Sequence, residues 1–500
     1  MILDPQEMIE AEGHLIGGGV NPEDLMDEAG LGIANAISQF FRKPGTLVVF
    51  VGHGHNGGDA LVAARHLKAR GWMTELKFAT SINQLKSLTS KKLHEFEKQP
   101  ASSNKLHDSG QKLPLIIIDG LLGIGASGSL RTGYLEAAME INSLRDNFNA
   151  VTFSLDIPSG LDGVSGKAYE GAVQADFTLT IAHPKTGLLR DHAINHVGRL
   201  ALINLPNLYP LPGQGDHKAF LVNPFTLDGI MNKTAHDTHK GINGHIGIIG
   251  GNMGMVGASV LSGIAALKGG AGLVTIIARE DTYPLIASMA PPEIMVVPVK
   301  SYIEVTEMSF DVIAIGPGLG KGEWDNEVLE LLVSDIRPLI IDADALNLLA
   351  RNNPLELQNA PGTRLLTPHP GEMKRLDPEG NGTRRERAES FAKKTSSTVL
   401  LKGARTIIAS NSATQPSAYN STGNPGMSSA GVGDTLTGLC AALVGRGINI
   451  FDAACLGSWI NGRAAEIAIF NGKESIQSLT ASDLPKQYGK CFDDLEKSAF

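Results

Sequence analysis

The sequence has little cysteine and no long hydrophobic run. Its three cysteines, Cys440, Cys455 and Cys491, lack the paired spacing of a zinc site or a redox motif. No segment reaches about 18 consecutive apolar residues, and the start, MILDPQEMIEAEGH, lacks the basic and apolar parts of a signal peptide. These absences argue against a disulfide-built fold and against a membrane helix. We therefore expect a cytoplasmic protein with no membrane partner.

Positive charge is also in deficit: the chain has 43 Lys and Arg residues and 52 Asp and Glu residues, and its formal net charge is -9. The basic residues are scattered, so no basic patch is offered to a nucleic-acid backbone and we expect no nucleic-acid partner. Internal repeats and low-complexity tracts are missing as well. What the chain does have is length: 500 residues, 42% of them hydrophobic, exceed one ordinary core and predict two compact domains.

The first part of the chain alternates strand-like and helical patterns. Residues 22–41 place apolar side chains at helical spacing after Asn21-Pro22, which predicts a helix start. Short β-branched runs then alternate with helical segments: TLVVFVG before GGDALVAARHLKARG, followed by PLIIIDG, NAVTFSLDIPSG and ADFTLTIA. This alternation is typical of a parallel sheet covered by helices on both faces.

Residues 204–243 interrupt that alternation with proline, glycine and polar residues. We therefore predict two domains, 1–215 and 216–500. The second domain again alternates, with GHIGIIGG, AGLVTIIA, DVIAIGPGLG and STVLLKGARTIIAS among its strand-like runs, and helical segments follow at 433–446 and 452–470. It is predicted to be a larger α/β domain.

Glycine-rich turns and strand-end carboxylates predict a ligand site in the first domain. The segment GHGHNGGD, residues 52–59, lies between a buried strand and a helix, where small residues let backbone N–H groups approach a phosphate. Asp119 and Asp156 each end a strand-like run, and open α/β sheets bind ligands at the carboxyl ends of their strands. One such aspartate is more often a helix cap or a loop acceptor. Two of them beside glycine-rich turns favour a site.

Four separated motifs of the first domain resemble the NAD(P)H-hydrate epimerase family. They are GHGHNGGDALVAARHL, IIIDGLLGIGASGSLRTGY, SLDIPSGLDG and ADFTLTIAHPKTGLL, in that order over about residues 1–210. The resemblance implies a potassium ion bound by Asn56, Asp119 and Ser159, and hard oxygen ligands suit such a cation. It also implies substrate contacts from His55, Asn56, Gly57, Gly58, Asp59, Gly123, Ile124, Gly125, Ala126, Ser127, Gly128, Ser129, Tyr134 and Asp156.

The implied reaction inverts the hydroxylated carbon of the nicotinamide ring. A carboxylate can assist by moving a proton while hydroxide leaves and returns, and Asp156 is the candidate for this acid–base role. Two positions depart from the family pattern: His55 stands where Asn is usual, and Ala60 stands where Gly is usual. Because Ala60 lies inside the helical pattern GGDALVAARHL, we expect ordinary helical dihedral angles there and an active epimerase.

In the second domain, the glycine-rich turn Gly431-Val432-Gly433-Asp434 opens a helical pattern. Unpaired N–H groups at a helix start can stabilise a phosphoryl group in transfer, and Asp434 could act there as a base toward a hydroxyl. An ordinary helix-start carboxylate is the alternative. The segment Lys402–Thr406 could hold phosphates or form a surface hairpin. His369, between two prolines, could point into a cleft, although a lone histidine is usually structural.

An ordered set of motifs resembles the ADP- or ATP-dependent NAD(P)H-hydrate dehydratases, a branch of the ribokinase-like fold. The set is HKGINGHIGIIGGNMGMVGA, GGAGLVTI, IGPGLG, IDADALNLL, LLTPHPGEM, LLKGART and NPGMSSAGVGDTLTG, over about residues 225–470. The resemblance implies that phosphorylation turns the hydroxyl into a better leaving group, and Mg²⁺ is expected to neutralise the phosphates. Implied contacts to the hydrated cofactor are Ala258, Gly320, His369 and Asp434, and those to the nucleotide are Lys402, Gly403, Ala404, Arg405, Thr406 and Gly433.

The sequence thus predicts an α/β protein with an N-terminal Rossmann-like three-layer sandwich and a larger ribokinase-like domain. The two resemblances imply one bifunctional enzyme, an isomerase and a lyase, that acts on the hydrates NADHX and NADPHX with K⁺, Mg²⁺ and ADP or ATP. We expect it to form a homo-oligomer. Two alternatives stay open: a ribokinase-like small-molecule kinase with a non-catalytic N-terminal binding domain, and a binding or scaffold protein that keeps the N-terminal fold without its chemistry.

Overall fold

A computed structural model describes residues 1–100, 113–231 and 235–497, which form two compact units, Met1–His217 and Lys218–Ser498. The elements of the first unit are the helices α1 (Pro5–Gly17), α2 (Pro22–Phe40), α3 (His55–Ala69), α4 (Ser87–Lys98), α5 (Thr132–Phe148) and α6 (Ile194–Val197), and the strands β1 (Thr46–Val51), β2 (Met73–Phe78), β3 (Leu115–Gly120), β4 (Val151–Leu155), β5 (Phe177–Ile181) and β6 (Arg199–Ile203).

The first unit is a three-layer sandwich around a parallel sheet with the strand order β2-β1-β3-β4-β5-β6. Successive side chains of a strand point to opposite faces. Ile117 therefore packs with the α5 side chains on one face, while Phe153 packs with Phe40 of α2 on the other, with ring centroids 6.5 Å apart. The predicted parallel sheet with helices on both faces is confirmed.

The second unit contains nine α-helices and ten strands among its described residues. The helices are α7 (Val256–Lys268), α8 (Tyr283–Met289), α9 (Asp325–Ser334), α10 (Ala343–Arg351), α11 (Pro370–Leu376), α12 (Arg384–Lys394), α13 (Val432–Gly445), α14 (Ile450–Phe470) and α15 (Tyr488–Glu496). The strands are β7 (Ala219–Leu221), β8 (His245–Ile249), β9 (Leu273–Arg279), β10 (Met295–Val299), β11 (Val312–Ile315), β12 (Leu339–Ile341), β13 (Arg364–Leu366), β14 (Thr398–Leu401), β15 (Thr406–Ala409) and β16 (Ser417–Asn420).

These strands form one mixed sheet in the order β10-β9-β8-β11-β12-β13-β14-β15-β16-β7. The pairings of β15 with β14 and with β16 are antiparallel. Alternate strand residues divide into two cores: Ile248 packs with side chains of α7, α13 and α14, and the adjacent Ile249 packs with side chains of α9, α10, α11 and α12. The second unit is therefore also a three-layer α/β sandwich, as predicted.

Helices α7 and α13 touch through their backbones at one glycine. A Cβ atom on Gly438 of α13 would lie 1.9 Å from the carbonyl oxygen of Ser262 in α7. The Ser262 hydroxyl in turn donates to the carbonyl oxygen of Asp434 at 2.9 Å. This close approach fixes the first turns of α13, which carry the predicted GVGD motif, against α7.

Several boundaries follow the predicted pattern. The helix predicted over 22–41 is α2, and the Asn21 side chain accepts a hydrogen bond from the backbone N–H of Glu23 at 3.1 Å, as an N-terminal cap does. The helices predicted at 433–446 and 452–470 are α13 and α14. Within residues 1–100, 113–231 and 235–497, no helix combines the length and the apolar character needed to cross a membrane.

Candidate active sites

The first unit contains a cavity of about 530 Å³ at the carboxyl ends of its central strands. Predicted residues that line it are His55, Asn56, Asp59, Gly123, Ile124, Gly125, Ala126 and Asp156. Helix α1, which the sequence analysis did not predict, contributes Glu12 to the wall, and the segment after β5 contributes Lys185. The cavity therefore gathers acidic and basic side chains from separate stretches of the chain.

Asp119, Ser159 and Asn56, the predicted potassium ligands, meet around the backbone that follows β3. The fully buried Asp119 carboxylate accepts hydrogen bonds from the Ser159 hydroxyl at 2.6 Å and from the Ser154 hydroxyl at 2.8 Å. The backbone N–H of Leu122 donates to Ser159 Oγ at 3.1 Å, and its carbonyl accepts from the Asn56 amide at 2.9 Å. Burial raises the pKa of Asp119, against the opposing effect of these hydrogen bonds. The structure thus brings all three predicted ligands together.

Asp156 forms an ion pair with Lys185, whose side chain is fully buried. The Lys185 ammonium group also donates to the carbonyl oxygen of Ile181 at 2.8 Å, and the Ile181 N–H donates to the Asp156 carboxylate at 3.1 Å. Asp156 has a φ of 64°, a left-handed conformation that aspartate tolerates better than most residues. This backbone turn places the candidate acid–base carboxylate at the cavity wall with a fixed cationic partner.

Other predicted substrate residues of the first unit lie outside the cavity wall. A Cβ atom on Gly57 would lie 2.1 Å from the carbonyl oxygen of Gly52, so this glycine lets α3 approach the end of β1. Gly58 likewise lets α3 pack closely, in this case against the side chain of Met26. Tyr134 is buried, and its hydroxyl lies 2.6 Å from Nδ1 of His53. Ser127, Gly128 and Ser129 are exposed. Substrate contacts from these residues stay a prediction.

The two departures from the family pattern have different environments. Ala60 is fully buried within α3 and is not among the residues with positive φ, so the expected helical conformation is confirmed. A Cβ atom on Gly120 would lie only 2.4 Å from the Ala60 methyl group, which shows how closely α3 packs on β3. His55, by contrast, is exposed and lies on the cavity wall. The histidine at position 55 therefore affects what the cavity can bind, and the alanine at position 60 affects the packing of α3 on β3.

In the second unit, the GVGD motif forms the start of α13, with Gly431 as the N-terminal cap at a φ of 90°. Asp434 is the third residue of the helix. Among the described residues no donor is hydrogen-bonded to its carboxylate, so it is not a capping residue. Burial raises its pKa to about 7, the neighbouring carboxylate of Asp342 adds to this effect, and Lys402 opposes it. The structure therefore favours an acid–base group over an ordinary helix-start carboxylate.

Lys402 is held beside this helix start by Asp342, a residue that the sequence analysis did not single out. The Lys402 ammonium group lies 2.7 Å from Oδ1 of Asp342, and the Thr437 hydroxyl of α13 donates to Oδ2 at 2.8 Å. A Cβ atom on Gly433 would lie 3.3 Å from the same ammonium group. The predicted phosphate-binding lysine and the predicted anion-binding turn are therefore adjacent.

The predicted contact Ala258 lies in the first turn of α7, and Gly320 lies in the loop after β11. A Cβ atom on Gly318 would lie 3.0 Å from the Ala258 methyl group. The backbone N–H of Gly320 donates to the carboxylate of Asp344 at 2.8 Å. Asp344 also raises the pKa of Asp434. The charge of Asp344 thus links the loop that contains Gly320 to the start of α13.

His369 caps a helix, and Arg405 is buried. His369 caps α11, and its Nδ1 atom accepts hydrogen bonds from the backbone N–H groups of Gly371 at 3.0 Å and Glu372 at 3.3 Å. Its side chain is half exposed. Arg405 is 1% exposed and belongs to the interior. Ala404 is exposed, and Thr406 donates to the carbonyl oxygen of Gly403 at 3.2 Å. Cofactor and nucleotide contacts from these residues stay predictions.

Residues missed by the sequence analysis differ in the signal that could have found them. Asp342 and Asp344 follow strand β12, so the rule that selected Asp119 and Asp156 applies to them equally. Lys185 and Glu12 carry no comparable signal, because each acquires meaning only beside residues that the fold brings close.

Two family profiles match the chain, one described as NAD(P)H-hydrate dehydratase over residues 246–487 and one described as YjeF-related protein N-terminus over residues 22–187. Among curated proteins, the chain is 32% identical over 497 residues to the bifunctional NAD(P)H-hydrate repair enzyme of Coxiella burnetii, with 96% of each chain covered. It is 34% identical over 461 residues to the enzyme of that name from Escherichia coli, with 90% of this chain and 86% of the relative covered.

Among solved structures, the ADP/ATP-dependent NAD(P)H-hydrate dehydratase of Bacillus subtilis is 27% identical at a TM-score of 0.49, covering 55% of this chain and 98% of that chain. The likeness to the bifunctional relatives extends over nearly the full length of both partners. Matches to both halves in one chain also leave the kinase alternative without support. The chain belongs to the family of bifunctional NAD(P)H-hydrate repair enzymes.

Proposed function

We propose that the chain repairs hydrated NADH and NADPH through an epimerase domain, 1–215, and a dehydratase domain, 216–500. The first interconverts the R and S hydrates, and the second uses ADP or ATP to remove water from the S hydrate. The observation that carries the proposal is Asp434, a buried carboxyl group at a helix start beside Lys402, with a pKa of about 7. Such a group accepts a proton at neutral pH at the place where the helix start stabilises a phosphoryl group.

In the dehydratase, Asp434 takes the proton of the ring hydroxyl while the hydroxyl oxygen attacks the terminal phosphorus of the nucleotide. The bond from that phosphorus to the bridging oxygen breaks, so AMP leaves when the donor is ADP and ADP leaves when it is ATP. The N–H groups in the first turn of α13 and the Lys402 ammonium group stabilise the negative charge of the phosphoryl group. Phosphate then leaves with the electrons of the C–O bond, the neighbouring ring carbon loses a proton to solvent, and the C=C bond of the reduced nicotinamide ring is restored. Mg²⁺ neutralises the phosphates when bound, and the carboxylates of Asp342 and Asp344 are oxygen donors of the kind that it prefers.

In the epimerase, Asp156 is the acid–base candidate, and K⁺ fits the cluster of Asn56, Asp119 and Ser159. Asp119 is fully buried, and its hydrogen-bond partners in the described chain are neutral O–H and N–H groups. A buried carboxylate without a cationic partner is costly, so a cation bound among these oxygen atoms would balance its charge. His55, whose ring offers nitrogen atoms, suits a substrate contact better than a potassium ligand.

A cytoplasmic location and a homo-oligomeric state belong to the same proposal. The three cysteines are free and buried, which agrees with a reducing compartment. Size-exclusion chromatography with light scattering measures the mass in solution, and a monomer would contradict the oligomer.

The test supplies the pure R hydrate with nucleotide and Mg²⁺, and follows the reduced cofactor by its absorbance. We expect consumption in potassium but not in tetramethylammonium, since the organic cation is too large for the cluster. Asp156→Ala should stop consumption of the R hydrate and spare dehydration of the pure S hydrate. Equal loss of both activities would contradict separate sites.

His55→Asn, which restores the residue usual in the family, is the matched variant for the first domain. We expect wild type and His55→Asn both to consume the R hydrate faster than it epimerises spontaneously. If only His55→Asn does so, the histidine at position 55 has abolished the activity of the wild-type domain. If neither does while the S hydrate is still dehydrated, the epimerase half of the proposal is wrong.

A further inference from the structure

The cavity of the first unit holds three carboxyl groups that come from three different elements. Glu12 belongs to α1, Asp59 to the second turn of α3, and Asp156 to the turn after β4. Asp156 has an ion-pair partner, the buried Lys185. Across the described residues, no hydrogen bond or ion pair is made by the side chains of Glu12 and Asp59. Two unpaired carboxyl groups therefore share the cavity with a paired one.

The surroundings of Asp59 and Asp156 differ. Asp59 is only 9% exposed, and burial raises its pKa well above the ordinary value, with further increases from Asp156 and then Glu12. Asp156, in contrast, has the Lys185 ammonium group in contact. Two titratable groups whose surroundings differ in this way are suited to be the acid and the base of one reaction.

We propose that Asp59 is the second acid–base residue of the epimerase and acts together with Asp156. This assignment rests on the epimerase function proposed above. Inversion at one carbon exchanges a hydroxyl group on one face of the ring for a hydroxyl group on the other. One proton donor and one proton acceptor, held on separate elements around the same cavity, satisfy that requirement.

The step balances without any reactant other than water. Asp59 gives its proton to the hydroxyl, the C–O bond breaks, and water leaves while the ring nitrogen lone pair forms a C=N bond. A second water then adds to the opposite face, the C=N electron pair returns to nitrogen, and Asp156 takes the released proton. Solvent returns the proton from Asp156 to Asp59 before the next turnover. In the opposite direction the two carboxyl groups exchange roles.

The charged and titratable groups that face Asp59 set the expected pH dependence. Glu12 and Asp156 raise its pKa, so Asp59 stays protonated to higher pH than an ordinary aspartate, and epimerisation should fall once it ionises. The other titratable groups on the cavity wall are His53, His55, Lys86 and Lys185.

The first experiment measures consumption of the R hydrate by wild type and Asp59→Asn in potassium, with dehydration of the S hydrate as the internal control. Asparagine keeps the shape of the side chain and cannot donate a carboxyl proton. We expect kcat for the R hydrate to fall about a hundredfold or more, with KM nearly unchanged and S-hydrate dehydration intact. In water labelled with oxygen-18, wild type should place one labelled oxygen in each inverted hydrate.

The second experiment compares the pH dependence of wild type with that of Glu12→Gln and of the control Glu10→Gln, a change on the exposed side of the same helix. Removing the Glu12 charge lowers the pKa of Asp59, so the decline of epimerisation at alkaline pH should move to lower pH. Glu10→Gln should leave it in place. This readout needs no substitution of Asp59 and decides the matter if Asp59→Asn does not fold.

Three results would overturn the assignment: an Asp59→Asn rate within threefold of wild type, inverted hydrate that keeps its original oxygen, or an alkaline decline unmoved by Glu12→Gln. All three presuppose that wild type consumes the R hydrate faster than the spontaneous rate. If wild type does not, the proposed epimerase function has failed instead, and the two failures are distinguishable.

Discussion

Replacing Asp434 by asparagine should abolish dehydration and at the same time stabilise the folded protein at alkaline pH. The side chain sits at the third position of α13, where an ordinary carboxylate stabilises a helix. Here burial dominates instead, and it raises the pKa to about 7, with Asp342 adding to the effect. Ionisation of Asp434 therefore costs free energy in the folded state, and the neutral asparagine avoids that cost.

The size of the effect follows from the two pKa values. The folded-state pKa of about 7 exceeds the ordinary aspartate value of 3.8 by about three units, and one unit corresponds to about 1.4 kcal/mol. Because the folded-state value is raised, the stability associated with the bound proton is complete below about pH 4 and is lost as the pH rises to about 7. Relative to asparagine, the wild-type side chain should cost about 2 kcal/mol at pH 5 and about 4 kcal/mol at pH 8.

The assay measures denaturant unfolding of wild type and Asp434→Asn at pH 5 and pH 8. The transition that is followed is the one whose denaturant midpoint shifts when nucleotide is added. Glu386→Ala is the matched control, because Glu386 occupies the same third position of α12 but caps that helix. Its loss should destabilise the protein by about 1 kcal/mol at both pH values. S-hydrate turnover should vanish in Asp434→Asn while nucleotide binding is retained. A variant that turns over normally, or whose stability relative to wild type does not change with pH, would refute the reasoning.

Three further predictions concern the second unit, the last of them its three cysteines. Asp342→Asn should move the pH midpoint of dehydration below that of wild type, because it removes a carboxylate that raises the pKa of Asp434; an unchanged midpoint would contradict the electrostatic contact. Gly438→Ala should lower the free energy of unfolding by about 3 kcal/mol or more in a urea titration, because its Cβ atom would lie 1.9 Å from the Ser262 carbonyl oxygen; wild-type stability would show that α7 and α13 can separate at no cost. The three buried cysteines, whose thiol pKa values are all raised by burial, should react with a thiol reagent only after denaturation, and rapid labelling of the native protein would show that one of them is accessible.

The central strands could be predicted from their apolar sequences because both of their faces are buried. Strands β1, β3 and β4 are mostly apolar runs rich in β-branched residues, since both of their faces are covered by helices. The strands β2 and β10 were not predicted, and both lie at sheet edges. The residues of β2 are exposed or half buried and carry no clear apolar pattern, and Pro298 interrupts the apolar run of β10. Strand β7 was missed inside the interrupted stretch 204–243, because three residues are too few to show a period.

Motifs located the candidate carboxylates, but the protonation state of each depends on partners that only the fold supplies. In the first unit Lys185 pairs with Asp156, and Asp59 is left unpaired. In the second unit Lys402 pairs with Asp342, and Asp434 is left unpaired.

The paired aspartate follows a strand in each unit, while the unpaired one lies in a helix that begins after a glycine-rich turn. Burial raises the pKa of Asp59 and of Asp434. Each lysine forms an ion pair with the other aspartate of its site. The sequence does not indicate either lysine–aspartate contact, because the paired residues are 29 and 60 positions apart. The identity of each proton-transfer group is therefore a property of the assembled sheet edge and not of any motif alone.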